Sequence, residues 1–249
     1  MLKLLQCEFL KLKRSKFVLI GLLGTLIVPF FVIVKAVTNY FFHPGTAASL
    51  FALYDSALMF LMLLFAPMVL TILGAWIISR EYTDGTLKNI LMVPVSKTAF
   101  LIGKLLFFAI LTFLFLLISW AEIMVLALLC NLFLPVAELT VPTLLFFLLK
   151  TLLGGIFLCA TQTPFLYLTI RTKGFVAPLT AVSGICLINV VLSNSKVAGF
   201  YPWSASYLLL WGRLNGSDCP KEISLAIILL LGLGGIGASL IRFHREEVK

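Results

Sequence analysis

Gly103 and Lys104 supply the closing pair of a phosphate-cradling loop, G-x-x-x-x-G-K-[ST]. However, Thr98 stands where the first glycine belongs and Leu105 where the hydroxyl belongs, so the nucleotide loop is absent. The two histidines, His43 and His244, are expected on opposite sides of a membrane, and His43 reads as a solvated loop residue rather than a ligand or proton relay. Neither H-E-x-x-H nor G-x-S-x-G occurs. Intramembrane proteolysis would need a buried Ser–His pair or two aspartates inside spans, and Asp55, Asp84 and Asp218 all fall in loops. The five cysteines (Cys7, Cys130, Cys159, Cys186, Cys219) are odd in number and lack ligand spacing. Three lie in apolar runs, where a cysteine behaves as a small hydrophobe. The expectation is a chain with no catalytic, cofactor-binding or metal-ligating residue, driven from elsewhere.

Two ionisable groups remain conspicuous. Glu122 and Lys150 interrupt apolar runs, where a charge at mid-membrane costs about 2.5–3.5 kcal/mol. They lie toward the outer half of consecutive helices and could neutralise each other as an intramembrane polar pair on a substrate path. The plainer reading, which is preferred, has both snorkel to the outer interface. The other conspicuous stretch is Arg80–Leu105, the longest polar interval between apolar runs on the basic side. Asp84 can cap a short helix, with Leu87, Ile90 and Leu91 on one face and Lys88 and Asn89 turned away. Pro94 ends it, and Ser96 can cap the next helix, with Lys97 and Lys104 near the interface. This predicts an amphipathic helix on the membrane surface, offering one side to a partner in the aqueous phase.

The elements that must hold these residues follow from composition. Hydrophobic residues make up 61% and charged residues 12%, and mean hydropathy is +1.13; a soluble domain carries about 25% charged residues. A helical span needs roughly 20 apolar residues. Six runs are assigned, at 17–36, 57–79, 98–122, 144–170, 175–192 and 223–241, the fifth a little short but free of charge. The ten-residue alternation of a membrane β-barrel is missing. The fold class is therefore all-α: one polytopic membrane domain over 1–249, with 1–16 as an interfacial helix and 80–97 as a loop between the second and third spans. In the first 16 residues, Met1, Leu2, Leu5, Phe9 and Leu12 share one arc, with Lys3, Lys11, Lys13 and Arg14 on the other side, suited to anionic headgroups. An uncleaved first span is favoured over a signal peptide, because the apolar run is long and lacks a small-x-small site.

Several interruptions carry structural expectations. Pro67 can kink the second span, and the carbonyl it frees must find a partner within the bundle. The third apolar run continues past Glu122 to Leu134, either as a tilted helix that emerges or as a segment bent back along the interface. Gly154–Gly155 allow close helix approach, and Gln162–Thr163–Pro164 form a polar step. The segment 193–222 is expected outside, with Ala198–Trp211 too short to cross but able to re-enter the outer leaflet.

A net charge of +9 admits nucleic acid as a partner, but the distribution argues otherwise. The cations concentrate in the N-terminal segment, the 80–104 loop, the Arg171–Lys173 turn and the C-terminal tail, all on one side of a six-span chain. That bias sets orientation in a bilayer and predicts both termini in the cytoplasm; no nucleic-acid role is expected.

Glu81, Thr86-Leu87-Lys88, Pro94, Ser96-Lys97, Phe100 and Gly103-Lys104 together resemble the signature region of ABC-2 type permeases, the membrane halves of ABC exporters. Glu8-Phe9-Leu10-Lys11-Leu12-Lys13-Arg14-Ser15 is similar to that family's N-terminal interfacial helix. Within the family, the chain is similar to permease subunits of bacitracin and lantibiotic self-immunity exporters of Gram-positive bacteria. The resemblance implies a coupling helix seated in a groove of a separate ABC ATPase subunit, with Glu81, Thr83, Asp84, Gly85, Thr86, Leu87, Lys88 and Ile90 as the contact. It implies ATP and Mg on that partner, a second identical or related permease, membrane lipids around both, and an antimicrobial peptide as cargo in the bacterial plasma membrane. The alternatives are an ABC-2 exporter of a drug, ion or lipid-linked glycan, an ATP-independent peptide-sequestering protein, or, more remotely, a membrane enzyme.

Overall fold

Apolar runs that cannot offer their backbone to water must bond it internally, and the long runs of this chain do so as helices. The computed structural model describes residues 2–13, 17–42, 48–85, 96–132, 136–137 and 140–245. The helices are α1 (Leu2–Lys13), α2 (Phe17–Phe42), α3 (Leu50–Phe60), α4 (Ala66–Thr83), α5 (Lys97–Asn131), α6 (Val141–Thr172), α7 (Val176–Leu192), α8 (Pro202–Trp211) and α9 (Lys221–His244). A π-helical turn, Leu61–Phe65, joins α3 to α4 into one 34-residue rod. Two short strands, β1 (Ala48–Ser49) and β2 (Val136–Ala137), pair in parallel, matching Ala48 to Val136 and Ser49 to Ala137.

Four helices are long and apolar enough to cross a membrane: Leu50–Thr83, α5, α6 and α9. Two shorter apolar stretches, Leu23–Asn39 within α2 and the whole of α7, accompany them. The helices overrun their apolar runs. α5 continues unbroken through Trp120 and Glu122 to Asn131, so of the two continuations expected there the straight helix is the one adopted. At about 1.5 Å per residue it is roughly 52 Å long against a hydrocarbon core of about 30 Å, so it must tilt or project.

The prolines explain the irregularities. Pro67 has no N–H for the carbonyl of Leu63, and the chain accommodates it with the π turn. Asn189 Nδ2 on α7 donates to Leu63 O at 3.0 Å, and Cys186 Sγ approaches Leu64 O at 3.5 Å. Pro164 frees Ala160 O in α6, and Thr163 Oγ1 donates to it at 2.9 Å while also lying 3.2 Å from Leu231 O on α9. Gln162 Oε1 accepts from Thr71 Oγ1 at 2.8 Å, joining α4 to α6 inside the bundle. The polar step in the sixth helix is thus the place where three helices meet.

Small residues set the closest approach. A methyl group added at Gly232 would lie 2.9 Å from Ala160 Cβ, and one at Gly235 would lie 2.9 Å from the Thr163 carbonyl carbon. Only hydrogens at these positions let α9 rest on α6. The main core is built from α2, the Leu50–Thr83 rod, α5 and α6 around Tyr54, Leu70, Phe107, Leu116, Phe147 and Leu158.

The Ala198–Trp211 stretch is a 3₁₀ turn (Ala198–Phe200) followed by α8. Pro202–Leu208 and Leu210 are buried, and α8 ends at Gly212, whose φ of +64° is left-handed. About 15 Å long, α8 is a plug at one end of the bundle.

Candidate functional site

α4 ends and α5 begins at the same end of the bundle, where the basic segments gather. Glu81 lies in the last turn of α4, Lys104 two turns into α5, and Glu8 and Lys11 one turn apart on α1. The helices converge there because Leu5 and Leu12 pack against the core and Phe9 meets Phe107 edge-on, with ring centroids 5.0 Å apart. Anchoring α1 by its apolar arc brings its neighbouring polar residues over the α4–α5 seam.

The result is an ion cluster with four members among the described residues. Lys104 Nζ is 3.0 Å from Glu81 Oε1, 3.3 Å from Glu8 Oε1 and 2.9 Å from Ile77 O, so its three donors have three acceptors. Lys11 Nζ donates to the same Glu81 oxygen at 2.7 Å and lies 3.2 Å from Glu8 Oε1. Glu81 and Lys104 side chains are 2% and 3% exposed, and Glu8 is 11% exposed. Among the described residues its two carboxylates and two ammoniums balance, the condition under which charges can be buried. Burial works against the Lys11 ammonium, but the hydrogen bond to Glu81 and the charges of Glu8 and Glu81 outweigh it, so its pKa is raised above the ordinary lysine value. The Phe100 ring lies 5.1 Å from Lys104 Nζ and stacks on Phe243 of α9 at 6.0 Å. The cluster therefore ties α1, α4 and α5 together directly, and α9 through Phe100.

The expected contact residues divide into three groups. Thr86, Leu87, Lys88 and Ile90 lie outside the described residues, as do the first turn that Asp84 was expected to cap and His43. Glu81, expected on the partner-facing surface, is turned inward to Lys11 and Lys104. Thr83, Asp84 and Gly85 form the end of α4: the Thr83 hydroxyl bonds Arg80 O at 3.1 Å, Asp84 Oδ2 accepts from Arg80 Nε at 3.0 Å, and Gly85 has φ +63°. Ser96 caps α5 as expected, its Oγ accepting from the Ala99 N–H at 3.2 Å.

Glu122 and Lys150 are not brought together. Glu122 Oε1 accepts from Thr25 Oγ1 at 2.9 Å, bridging α5 to α2. Lys150 Nζ donates to Leu210 O and sits 5.4 Å from the Phe146 ring and 5.5 Å from that of Trp211. It thereby satisfies an orphan carbonyl at the C-terminus of α8, where a cation is also favoured by the helix dipole. Beside it, Asp55 accepts from Tyr207 Oη at 2.6 Å and pairs with Arg213 at 2.9 Å, fastening α3 to the same C-terminal end of α8.

Sequence reasoning missed Glu8 and the inward role of Lys11. A signal was present: at about 100° per residue Glu8 falls at the edge of the arc shared by Leu5, Phe9 and Leu12, the one acid in a basic helix.

Comparison with known proteins bears on the same region. The chain is 23% identical over 190 residues to the bacitracin transport permease protein BCRB of Bacillus licheniformis, covering 76% of this chain and 89% of that protein. Residues 4–193, which include the whole ion cluster, match the family model described as ABC-2 family transporter protein. The chain therefore belongs to the ABC-2 family of transporter proteins.

Proposed function

We propose that this chain is the permease subunit of an ABC exporter, a passive gate moved by a separate ATPase that binds the ATP and Mg²⁺. The chain is a multi-pass membrane protein of a family whose members imply an ABC ATPase partner. In the proposed arrangement α2, the Leu50–Thr83 rod, α5, α6, α7 and α9 cross the bilayer. α1 lies in the inner interface, and both termini and the basic end face the cytoplasm. A second permease, identical or related, completes the pathway.

The observation that carries this reading is the ion cluster at the roots of the 86–95 segment. A lever can transmit motion only if its two attachments move as one body. The last turn of α4 and the second turn of α5 are clamped by Glu81–Lys104, with α1 added through Glu8 and Lys11. Force applied to a coupling helix over 86–95, with Thr86, Leu87, Lys88 and Ile90 as its contact, would reach three helices together. Glu81 serves that contact indirectly, as the fixed point at the end of α4.

For cargo, the name of the bacitracin relative supports an antimicrobial peptide taken from the membrane and released outward, which protects the host. The test is co-purification with a co-expressed ATPase from the same genetic neighbourhood. Thr86→Pro and Leu87→Asp should abolish retention of the ATPase while membrane insertion stays intact. A chain that binds no ATPase, or survives both changes, overturns the coupling assignment. Peptide resistance that persists with a hydrolysis-dead ATPase would make the protein a sequestering one instead.

A further inference from the structure

A cleft of about 440 Å³ opens beside α4 and the start of α7, on the basic end but outside the ion cluster. One end of it is apolar, with Ile72, Trp76, Phe175 and Leu179; the other is polar, with Arg80 and Asp84 at the mouth. Ile72 and Arg80 are eight residues apart on one helix, so the apolar wall runs about 12 Å along the axis before meeting charge. The Arg80 guanidinium lies 5.3 Å from the Trp76 ring and spends only its Nε on Asp84. Its terminal NH1 and NH2 groups make no hydrogen bond among the described residues, leaving the paired donors that fit two oxygens of a phosphate. Immediately before Phe175 comes the turn that carries exposed Arg171 and also Lys173, whose Nζ lies over the Tyr82 ring at 5.5 Å. Among the described residues, Arg80, Arg171 and Lys173 stand at or beside this mouth together with Asp84.

We infer that this cleft is a binding site for an anionic phospholipid, with the headgroup phosphate on Arg80 and an acyl chain along Ile72, Trp76, Phe175 and Leu179. The chemistry selects this occupant. A free phosphate would leave the apolar wall unused, and a lipid without net negative charge would answer the Arg80 guanidinium less well. Arg171 and Lys173 add attraction for an anionic surface, at about one factor of five per cation. The site does not depend on the identity of the exported cargo.

The full-length protein is purified in mild detergent and titrated with phosphatidylglycerol, phosphatidylcholine or inorganic phosphate, and bound lipid is counted by native mass spectrometry. Phosphatidylglycerol should be retained in preference to phosphatidylcholine, and Arg80→Gln should lower that preference about fivefold. Asp84→Asn should move it the other way, because removing the carboxylate frees Nε and lifts a repulsion. The opposed signs matter, since both changes break the same Arg80–Asp84 pair. A parallel fall in the two variants would mean that the pair only props the end of α4, and the proposal fails. It fails equally if both lipids bind alike, if Arg80→Gln changes nothing, or if millimolar phosphate displaces the lipid. A dimer that excludes lipid from the cleft also overturns it, by making the face a contact between copies. Thermal unfolding of each variant, expected within a few degrees of the parent because an exposed i,i+4 pair contributes little, shows that the chain remains folded.

Discussion

The Glu81–Lys104 pair offers a direct test of the idea that the roots of the 86–95 segment move as one body. Among the described residues, Glu81→Gln leaves Lys11 and Lys104 sharing Glu8 alone, one uncompensated positive charge on a buried Lys104 and a partly exposed Lys11. Lys104→Met leaves Glu8 and Glu81 with Lys11, one negative charge in excess, and strips Ile77 O of its donor. Breaking a buried pair from one side costs about 3–5 kcal/mol. Because a second counter-ion survives in each single variant, the lower end, about 3 kcal/mol, is expected. The double variant is different: Glu8 and Lys11 remain, 3.2 Å apart and balanced. Its cost should fall short of the sum of the singles by about 2–3 kcal/mol. Denaturant unfolding of the purified protein in a fixed micelle, followed by helical circular dichroism, measures the cycle. Single variants within about 0.5 kcal/mol of the parent, or a strictly additive double, would show that solvent already screens the cluster and that it clamps nothing. A companion readout is retention of a co-expressed ATPase. It should survive in the double variant, since the 86–95 sequence is untouched, while coupled transport falls.

Other consequences are as specific. Lys11 has a raised pKa in the folded protein, so its stabilising effect is complete below the unfolded lysine value of about 10.4 and is lost as pH rises through the higher folded value. Unfolding midpoints should be flat from neutral pH to about 10 and then fall, with a smaller fall in Lys11→Met; equal slopes would count against the assignment. Asn189→Ala should cost about 1 kcal/mol by orphaning Leu63 O. Adding Pro67→Ala should recover part of this, because an alanine N–H can reach the same carbonyl. Gly235→Leu should destabilise by about 3 kcal/mol or prevent folding, whereas Gly237→Leu, where an added carbon meets nothing within 4 Å, should be nearly silent. Comparable losses at both positions would refute the close α6–α9 contact.

The length and greasiness of the apolar runs, read alone, determined that the chain is built of helices, because a backbone deprived of water has few ways to bond itself. The local sequence also fixed the Ser96 cap and the need for a partner to the carbonyl that Pro67 frees, since both depend on residues within one turn. The partners themselves were not legible. Asn189 answers Leu63 from 126 positions away, and Glu8 reaches Lys104 across 96, distances at which no periodicity survives. Two acids and two lysines in basic stretches looked like surface charges because composition cannot tell a solvated carboxylate from one enclosed by opposite charges. Likewise Lys150 and Glu122, adjacent in the order of spans, found separate partners once the packing of α5 against α2 and the burial of α8 set which groups could meet. Pattern along the chain fixes which segments leave water. Which charges may follow them inside depends on neutralisation by distant groups, and only the packed helices supply it.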